Sequence, residues 1–124
     1  MKKNAFLIAL SIVLVASCGD AKDNEKTAEP VARIEDSPAY EEGLQLVAKS
    51  DCLTCHKIGE AFTGPAYEAI AAKYADNPEN VSRLADKVIN GGVGVWGQIP
   101  MNAHPTISKT DAEKMIKYIL LLKK

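Results

Sequence analysis

The sequence predicts an all-α domain of about four short helices. Apolar residues in the C-terminal two thirds of the chain recur at intervals of three and four residues, and several of these stretches begin with residues that cap helices. No stretch of useful length alternates between apolar and polar residues, as a half-buried strand would. With 124 residues, 47% of them hydrophobic, the chain has room for one compact domain.

The N-terminal segment has the composition of an export signal. Lys2 and Lys3 form a basic start, and an apolar run follows from Ala5 to Ala16 that is too short to span a bilayer comfortably. Residues 1–17 are therefore predicted to be a signal peptide of the lipoprotein type. Residues 18–37 are polar and charged and are predicted to form a flexible tether. The folded domain is predicted to cover residues 38–124.

The charge balance excludes one class of partner. The chain has a formal net charge of -1, and residues 38–124 contain ten acidic and ten basic side chains. Such a surface does not attract a polyanion, so we expect no nucleic-acid partner. A domain of this size buries a modest fraction of its surface and often depends on a disulfide, a metal or a cofactor for stability.

Four stretches fit the pattern of short helices. They are predicted at about Ala39 to Ser50, at Tyr67 to Tyr74, from an Asn77 N-cap to Asn90-Gly91, and from Ser108 or Thr110 to Leu122. Residues at helical spacing are predicted to face the core: Leu44, Val47 and Ala48 in the first helix, Val81, Leu84, Val88 and Ile89 in the third, and Met115, Ile116, Ile119 and Leu120 in the last. Residues 91–100 (GGVGVWGQIP) contain four glycines and a proline, so they are predicted to form a long functional loop.

The stretch from Cys52 to His56 (CLTCH) carries the chemistry. In C-x-x-C-H, two thiols add to the two vinyl groups of a haem, and the adjacent histidine becomes the proximal ligand of the iron. One alternative is a redox disulfide of the thioredoxin type, which normally follows a strand in a βαβ unit that this sequence lacks. The other is half of a zinc site, for which only His104 remains as a further ligand.

The second axial position of such an iron has three candidate states. Met101 follows Pro100 at the end of the glycine-rich stretch, where a thioether would favour Fe(II) and raise the reduction potential. Methionines are often core filler, but Met101 does not belong to a periodic apolar stretch. His104 is a weaker candidate because His104-Pro105 has the composition of an exposed turn. The third state is an open site.

These residues resemble the small class I monohaem cytochromes c of bacteria. The resemblance covers about Glu41 to Leu122 and rests on five features: C-x-x-C-H, Gly64-Pro65, the Gly-x-Trp-Gly stretch from Gly94 to Gly97, Pro100-Met101, and Tyr118 in the last helix. It implies a fold of about four helices wrapped around one covalently attached haem c. The family's methionine is often followed by proline, whereas Asn102 follows here, so the match ends locally at Met101.

The resemblance also implies roles for individual residues. The carbonyl of Pro65 would accept the second N–H of the His56 ring and so orient it. Trp96 would lie near a haem propionate, with core filler as the alternative. The first and last helices would cross through the pairs Gly43 and Val47, and Met115 and Tyr118.

Cys18 needs a separate explanation as the third cysteine. The stretch Val15-Ala16-Ser17-Cys18 resembles a bacterial lipobox, in which the cysteine is lipidated and becomes the first residue of the mature chain. Ordinary signal cleavage nearby is the alternative. A lipidated Cys18 would anchor the domain to a bacterial membrane, facing the periplasm or the cell exterior.

The favoured function is one-electron transfer rather than catalysis. A monomeric carrier with His56 and Met101 on its iron would exchange electrons with a protein donor and acceptor whose identities the sequence does not give. The first alternative is a small-ligand sensor, or the cytochrome subunit of a redox enzyme, with a displaceable sixth ligand. The second is a thiol protein that exchanges disulfides through Cys52 and Cys55. No general acid or base candidates accompany the cysteine pair.

Overall fold

The computed structural model describes residues 34–124 and contains four α-helices and one β-hairpin. The elements are α1 Pro38–Lys49, α2 Tyr67–Lys73, α3 Pro78–Asn90, β1 Gly92–Gly94, β2 Gly97–Met101 and α4 Lys109–Leu121, with 3-10 turns at Ile34–Asp36 and Cys52–Thr54. The predicted all-α class of four helices is confirmed, with a small sheet added. No helix in this part of the chain has the length and apolar character needed to cross a membrane. The predicted signal peptide, Cys18 and the tether up to residue 33 lie outside the described residues.

Polar side chains define where three of the helices begin. The hydroxyl of Ser37 accepts the backbone N–H of Tyr40 at 3.2 Å, and Asn77 caps α3 in the same way through the N–H of Asn80 at 2.9 Å. Ser108, and not Thr110, caps α4 by accepting the N–H of Asp111 at 3.1 Å. Each cap satisfies a backbone donor that has no partner within its helix. The turn at Ile34–Asp36 and the cap at Ser37 lie in residues that were assigned to the tether.

The crossing of α1 and α4 depends on a glycine. A Cβ atom at Gly43 would overlap the carbonyl oxygen of Lys114 and the Cβ of Tyr118, so only glycine lets the two helices approach this closely. Val47, Met115 and Tyr118 are almost completely buried around the crossing. The positions that the resemblance to cytochromes c implied for a helix crossing therefore lie together in the core.

The core forms where the inner faces of the helices meet. The predicted inner face of α4 is confirmed, since Met115, Ile116, Ile119 and Leu120 are all buried. In α1 the prediction for Ala48 was wrong, because that side chain is exposed and the buried face runs through Gly43 and Val47 instead. The sequence pattern also missed small core residues that lie between larger apolar neighbours, among them Ala85 and Ala112.

The glycine-rich stretch is a hairpin, so the prediction of an irregular loop over residues 91–100 was wrong. Gly92 pairs with Met101 and Gly94 pairs with Gly97 in an antiparallel ladder that contains an irregularity between Gly92 and Gly94. The two-residue turn is flanked by glycines with φ of 118° and 114°, values that other residues rarely adopt. The hairpin therefore depends on backbone freedom at glycine, which an analysis of apolar alternation does not detect.

Candidate cofactor site

A cavity of about 490 Å³ lies between the helices and the hairpin. Its wall includes the cysteine pair, the segment that follows it, one face of α3, the hairpin and the inner face of α4. All the residues predicted for the cofactor site line it: Cys52, Cys55, His56, Pro65, Trp96 and Met101. The fold thus brings together residues that are up to 49 positions apart in the chain.

The 3-10 turn after α1 presents the two cysteines. The backbone N–H groups of Cys55 and His56 donate to the carbonyl of Cys52 at 3.2 and 3.0 Å, which coils the C-x-x-C-H segment tightly. Both thiols are half-buried, and no disulfide joins them. Two thiols presented side by side at a cavity wall are the arrangement that attachment to two vinyl groups requires.

A hydrogen bond orients the imidazole of His56. Its Nδ1 lies 2.7 Å from the carbonyl oxygen of Pro65. A carbonyl oxygen only accepts hydrogen bonds, so Nδ1 carries the proton, and in the neutral ring Nε2 keeps its lone pair. The side chain is only 9% exposed and lies in the cavity wall. The lone pair on Nε2 is therefore free to bind a metal ion in the cavity.

Two neighbours of His56 were not identified as site residues from the sequence. Tyr67 stacks on its ring with centroids 5.4 Å apart and an interplanar angle of 23°. Gly64 lies so close that an added Cβ would be 2.5 Å from Cε1 of the ring. The Gly64-Pro65 pair in the sequence indicated that this segment lies near His56. Its distance along the chain from His56 does not show which face of the ring the glycine covers.

Met101 ends β2, and its main chain is packed against the end of α3. It pairs with Gly92 in the hairpin, and a Cβ atom added at Gly91 would lie 2.5 Å from the Met101 carbonyl oxygen. The side chain is half-buried, packs against the core and lines the cavity. The hairpin thus fixes the backbone of Met101, whose thioether side chain lines the cavity.

His104 lies in the cavity wall, but its ring is occupied by other partners. Nδ1 lies 3.2 Å from the carbonyl oxygen of Val88, and Nε2 lies 3.1 Å from Oδ1 of Asp51. The expectation of an exposed turn was wrong at His104 itself, whose side chain is 19% exposed. These two contacts leave neither ring nitrogen available to a metal ion.

Trp96 lies at the tip of the hairpin and is 46% exposed. The ammonium of Lys73 lies 5.4 Å from the centre of its ring, a cation–π contact. The alternative that Trp96 is core filler is wrong, because the turn projects it away from the packed helices. It remains a lining residue at the mouth of the cavity.

The two alternative uses of the cysteines find little support. Burial, with a smaller contribution from the charge of Asp51, raises the pKa of the Cys52 thiol, which disfavours the thiolate that disulfide exchange requires. Within residues 34–124, no group of three or more His, Cys, Asp and Glu side chains is placed to hold a metal ion. The described part of the chain therefore provides no complete zinc site.

The lining of the cavity suits a large and mainly apolar group that carries a metal ion. Aliphatic side chains from α3 and α4 cover much of the wall, among them Val88, Ile116 and Ile119. Two thiols, one imidazole with a free Nε2 and one thioether also lie on that wall. A haem requires this combination of an apolar enclosure, thiol attachment points and soft axial ligands.

Comparisons with known sequences agree with this chemistry. The Cytochrome c family profile matches residues 40–123. Cytochrome c-552 of Nitrosomonas europaea is 44% identical over 78 residues, which cover 63% of this chain and 76% of that protein. Cytochrome c-551 of Allochromatium vinosum is 39% identical over 84 residues, covering 68% of this chain and 89% of that protein.

Solved structures show the same architecture. The crystal structure of wild-type Nitrosomonas europaea cytochrome c552 matches with a TM-score of 0.60 and 42% sequence identity. The match covers 64% of this chain and 99% of that one. The shared part is the helical domain, with little of the known chain left unmatched.

Proposed function

The chain belongs to the cytochrome c family, and from this premise we propose that His56 and Met101 are the two axial ligands of its haem iron. As a small class I monohaem member, it binds one covalently attached haem c and is an electron-transfer protein, not an enzyme. Cys52 and Cys55 are proposed to form the two thioether bonds to that haem.

The proposed proximal ligand is supported by the geometry of His56. The 2.7 Å contact between its Nδ1 and the Pro65 carbonyl selects the tautomer with a free Nε2, and this single observation carries the assignment. Tyr67 on one side and Gly64 close by restrict the orientation of the ring. His56 therefore needs no rearrangement before it can bind a metal ion.

Met101 is favoured over His104 as the sixth ligand because its thioether is not engaged elsewhere. The ring nitrogens of His104 face Val88 and Asp51, whereas the Met101 side chain lies half-buried in the cavity wall. A methionine ligand stabilises the ferrous state and raises the reduction potential. No observation favours the sensor alternative, which requires a displaceable or absent ligand.

Electron transfer follows from a site that changes little between two oxidation states. The haem supplies an iron that alternates between the ferric and ferrous states. The buried position of His56 and the hairpin backbone at Met101 would hold the two proposed ligands in the same place in both states. The wall of the site is mainly apolar, and Trp96, which lines the cavity and is partly exposed, is proposed to lie near a propionate. We propose that the protein acts as a monomer and exchanges electrons with a protein donor and a protein acceptor in a respiratory chain.

The N-terminal residues support a location outside the cytoplasm. We propose that residues 1–17 direct export and that Cys18 is lipidated, which would anchor the carrier to a bacterial membrane facing the periplasm or the cell exterior. Several acyl chains would make the attachment stable. We propose that residues 19–33 form the flexible part of the tether; about fifteen such residues would have a root-mean-square span of roughly 20 Å, so the domain would stay near the membrane surface.

A spectrum of the purified holoprotein tests the ligation. We expect the oxidised protein to show the weak near-infrared sulfur-to-iron band at neutral pH. Met101→Ala should abolish the band, lower the reduction potential and admit cyanide or carbon monoxide readily. His104→Gln is the matched control and should keep the band at neutral pH without denaturant. A wild-type protein without the band, or a variant at Met101 that retains it, would contradict the assignment.

Detergent partition tests the anchor separately. Full-length protein purified from membranes should enter the detergent phase, and removal of residues up to Pro38 by proteolysis should release a water-soluble domain with the same haem spectrum. Cys18→Ala should accumulate as uncleaved precursor or as soluble holoprotein. If the trimmed domain still entered detergent, the lipid anchor would be rejected while the haem assignment stood.

A further inference from the structure

His104 connects three segments that surround the cavity, although it is not one of the proposed ligands. Its backbone N–H donates to the carbonyls of Val88 and Ile89, at 3.2 and 3.0 Å, at the end of α3. Its ring reaches the Val88 carbonyl through Nδ1 and Asp51 through Nε2. The residue lies three positions after Met101, and Asp51 immediately precedes Cys52.

The two ring contacts require a particular protonation state. A backbone carbonyl oxygen and an ionised carboxylate can only accept hydrogen bonds. Both contacts are hydrogen bonds only when Nδ1 and Nε2 both donate, and only the imidazolium form has two N–H donors. Asp51 is the charged group that faces the ring, while α3 contributes the Val88 carbonyl and Lys87, whose ammonium lies beside Gly92 of β1.

We propose that the His104 imidazolium is a positioning group that ties the loop after Met101 to the haem-attachment segment through Asp51. This inference rests on the proposed ligation by Met101. The contact joins residues 53 positions apart, one next to the first attachment cysteine and the other just after the sixth ligand. Its release would remove one restraint on the chain that follows Met101, while the backbone bonds of His104 to α3 would remain.

The exposure of the pair indicates a local effect. The side chain of Asp51 is 71% exposed and that of His104 is 19% exposed, so solvent screens the attraction and the pair adds little to global stability. The backbone N–H of His104 still holds the loop to the end of α3, whereas beyond His104 only the N–H of Ile107, which donates to the His104 carbonyl at 3.1 Å, precedes the start of α4 at Lys109. Loss of the pair is therefore expected to increase opening of this loop, with the global unfolding equilibrium little changed.

Nuclear magnetic resonance of the reduced, diamagnetic holoprotein tests the protonation state directly. The 15N shifts of the His104 ring should show protons on both nitrogens, as two hydrogen bonds to acceptor oxygens require. A neutral single tautomer in the wild type under these conditions would overturn the proposal.

Urea titration of the oxidised holoprotein tests the positioning role. In Asp51→Asn and His104→Gln, the sulfur-to-iron band should disappear at lower urea than in the wild type, while the midpoint of the helical circular dichroism signal moves much less. Loop opening measured by amide exchange at Ile107 should rise roughly two- to fivefold, as expected for loss of a partly exposed pair.

Glu42→Gln is the matched control, because it removes a carboxylate from a comparable exposed pair with Lys114, 2.9 Å away between α1 and α4. It should leave the order of the two transitions as in the wild type. If the band and the helical signal moved together in the Asp51 and His104 variants, the pair would have a merely structural role and the proposal would fail. If the proposal fails in this way, the proposed ligation is tested separately: the wild type should show the sulfur-to-iron band and Met101→Ala from the same preparation should lack it.

Discussion

The imidazole of His56 and the backbone of Gly64 are in such close contact that no side chain fits between them. A Cβ atom at position 64 would lie 2.5 Å from Cε1, 2.9 Å from Nδ1 and 3.0 Å from Nε2. The N–H of Gly64 also donates to the carbonyl of Cys55 at 2.8 Å, which holds the glycine against the C-x-x-C-H segment. One face of the ring is therefore covered by main chain.

Gly64→Ala should displace His56 and weaken its hydrogen bond to Pro65. Overpacking of this kind typically costs about 1–3 kcal/mol of stability. We expect a lower free energy of unfolding together with a changed reduction potential, measured by urea titration and voltammetry on the holoprotein. Gly59→Ala is the matched control, since its added Cβ would make ordinary contacts of 3.5 Å or more with Glu68. Equal effects of the two substitutions would show that contact with the ring is not the cause.

Gly43→Ala should destabilise the protein even though alanine favours helix. The gain in helix propensity is about 1 kcal/mol, whereas the new methyl group would meet the backbone of Lys114 and force α1 and α4 apart, at about 1–3 kcal/mol or more. Ala48→Gly, at an exposed position of the same helix, measures the propensity alone and should cost about 1 kcal/mol. Thermal unfolding of both variants checks the comparison, and a stabilised Gly43→Ala protein would contradict the crossing geometry.

Replacement of both attachment cysteines should remove covalent haem and with it most of the fold. Without haem, the mainly apolar wall of the 490 Å³ cavity would be left in contact with water, and the small domain would lose the apolar contacts that the cofactor supplies to its core. Cys52→Ser with Cys55→Ser should release any haem on denaturation and give a haem-free chain with little helical signal. A cooperative, native-like melt of that chain would disprove the dependence on the cofactor.

Stability should fall at alkaline pH because of Tyr67. Burial raises the pKa of its phenol well above the ordinary value of 10.0, so the folded state keeps the proton that the unfolded chain gives up. Its stabilising contribution is thus complete below about pH 10 and is lost as the pH rises further, at up to about 1.4 kcal/mol per pH unit. Tyr67→Phe should flatten the decline in unfolding free energy between about pH 9 and 11. Some decline should remain because burial raises the pKa of Tyr118 as well. Parallel profiles for wild type and variant would exclude this role.

Local features of the fold were predictable because they depend on nearby residues. Asn77 and Pro78 mark the start of α3, and the spacing of apolar residues in α4 identifies its buried face. The hairpin was missed because its strands carry no alternating pattern. Its turn depends on two glycines with positive φ, and glycine is equally compatible with an irregular loop.

The sequence by itself determined the chemistry of attachment. Two thiols and an imidazole within five residues form one local turn, so their joint role follows from spacing without knowledge of the fold. The prediction that Met101 serves the same site came from a resemblance and from its position after the glycine-rich stretch. Met101 lies in the same cavity wall as the cysteines because the hairpin packs against the end of α3, which the sequence does not show.

Only the tertiary structure decided which side chains surround the proposed haem ligands, and which other potential ligands are already hydrogen-bonded. His104 had the local composition of an exposed turn, yet Asp51, 53 residues earlier, and the end of α3 occupy both of its ring nitrogens. The contact of Gly64 with the His56 ring likewise depends on a chain reversal that local propensity does not specify. Spacing along the chain determines which groups share a turn. Contacts between distant segments arise when the helices pack around a common centre. The distances between such segments cannot be read from residue types alone.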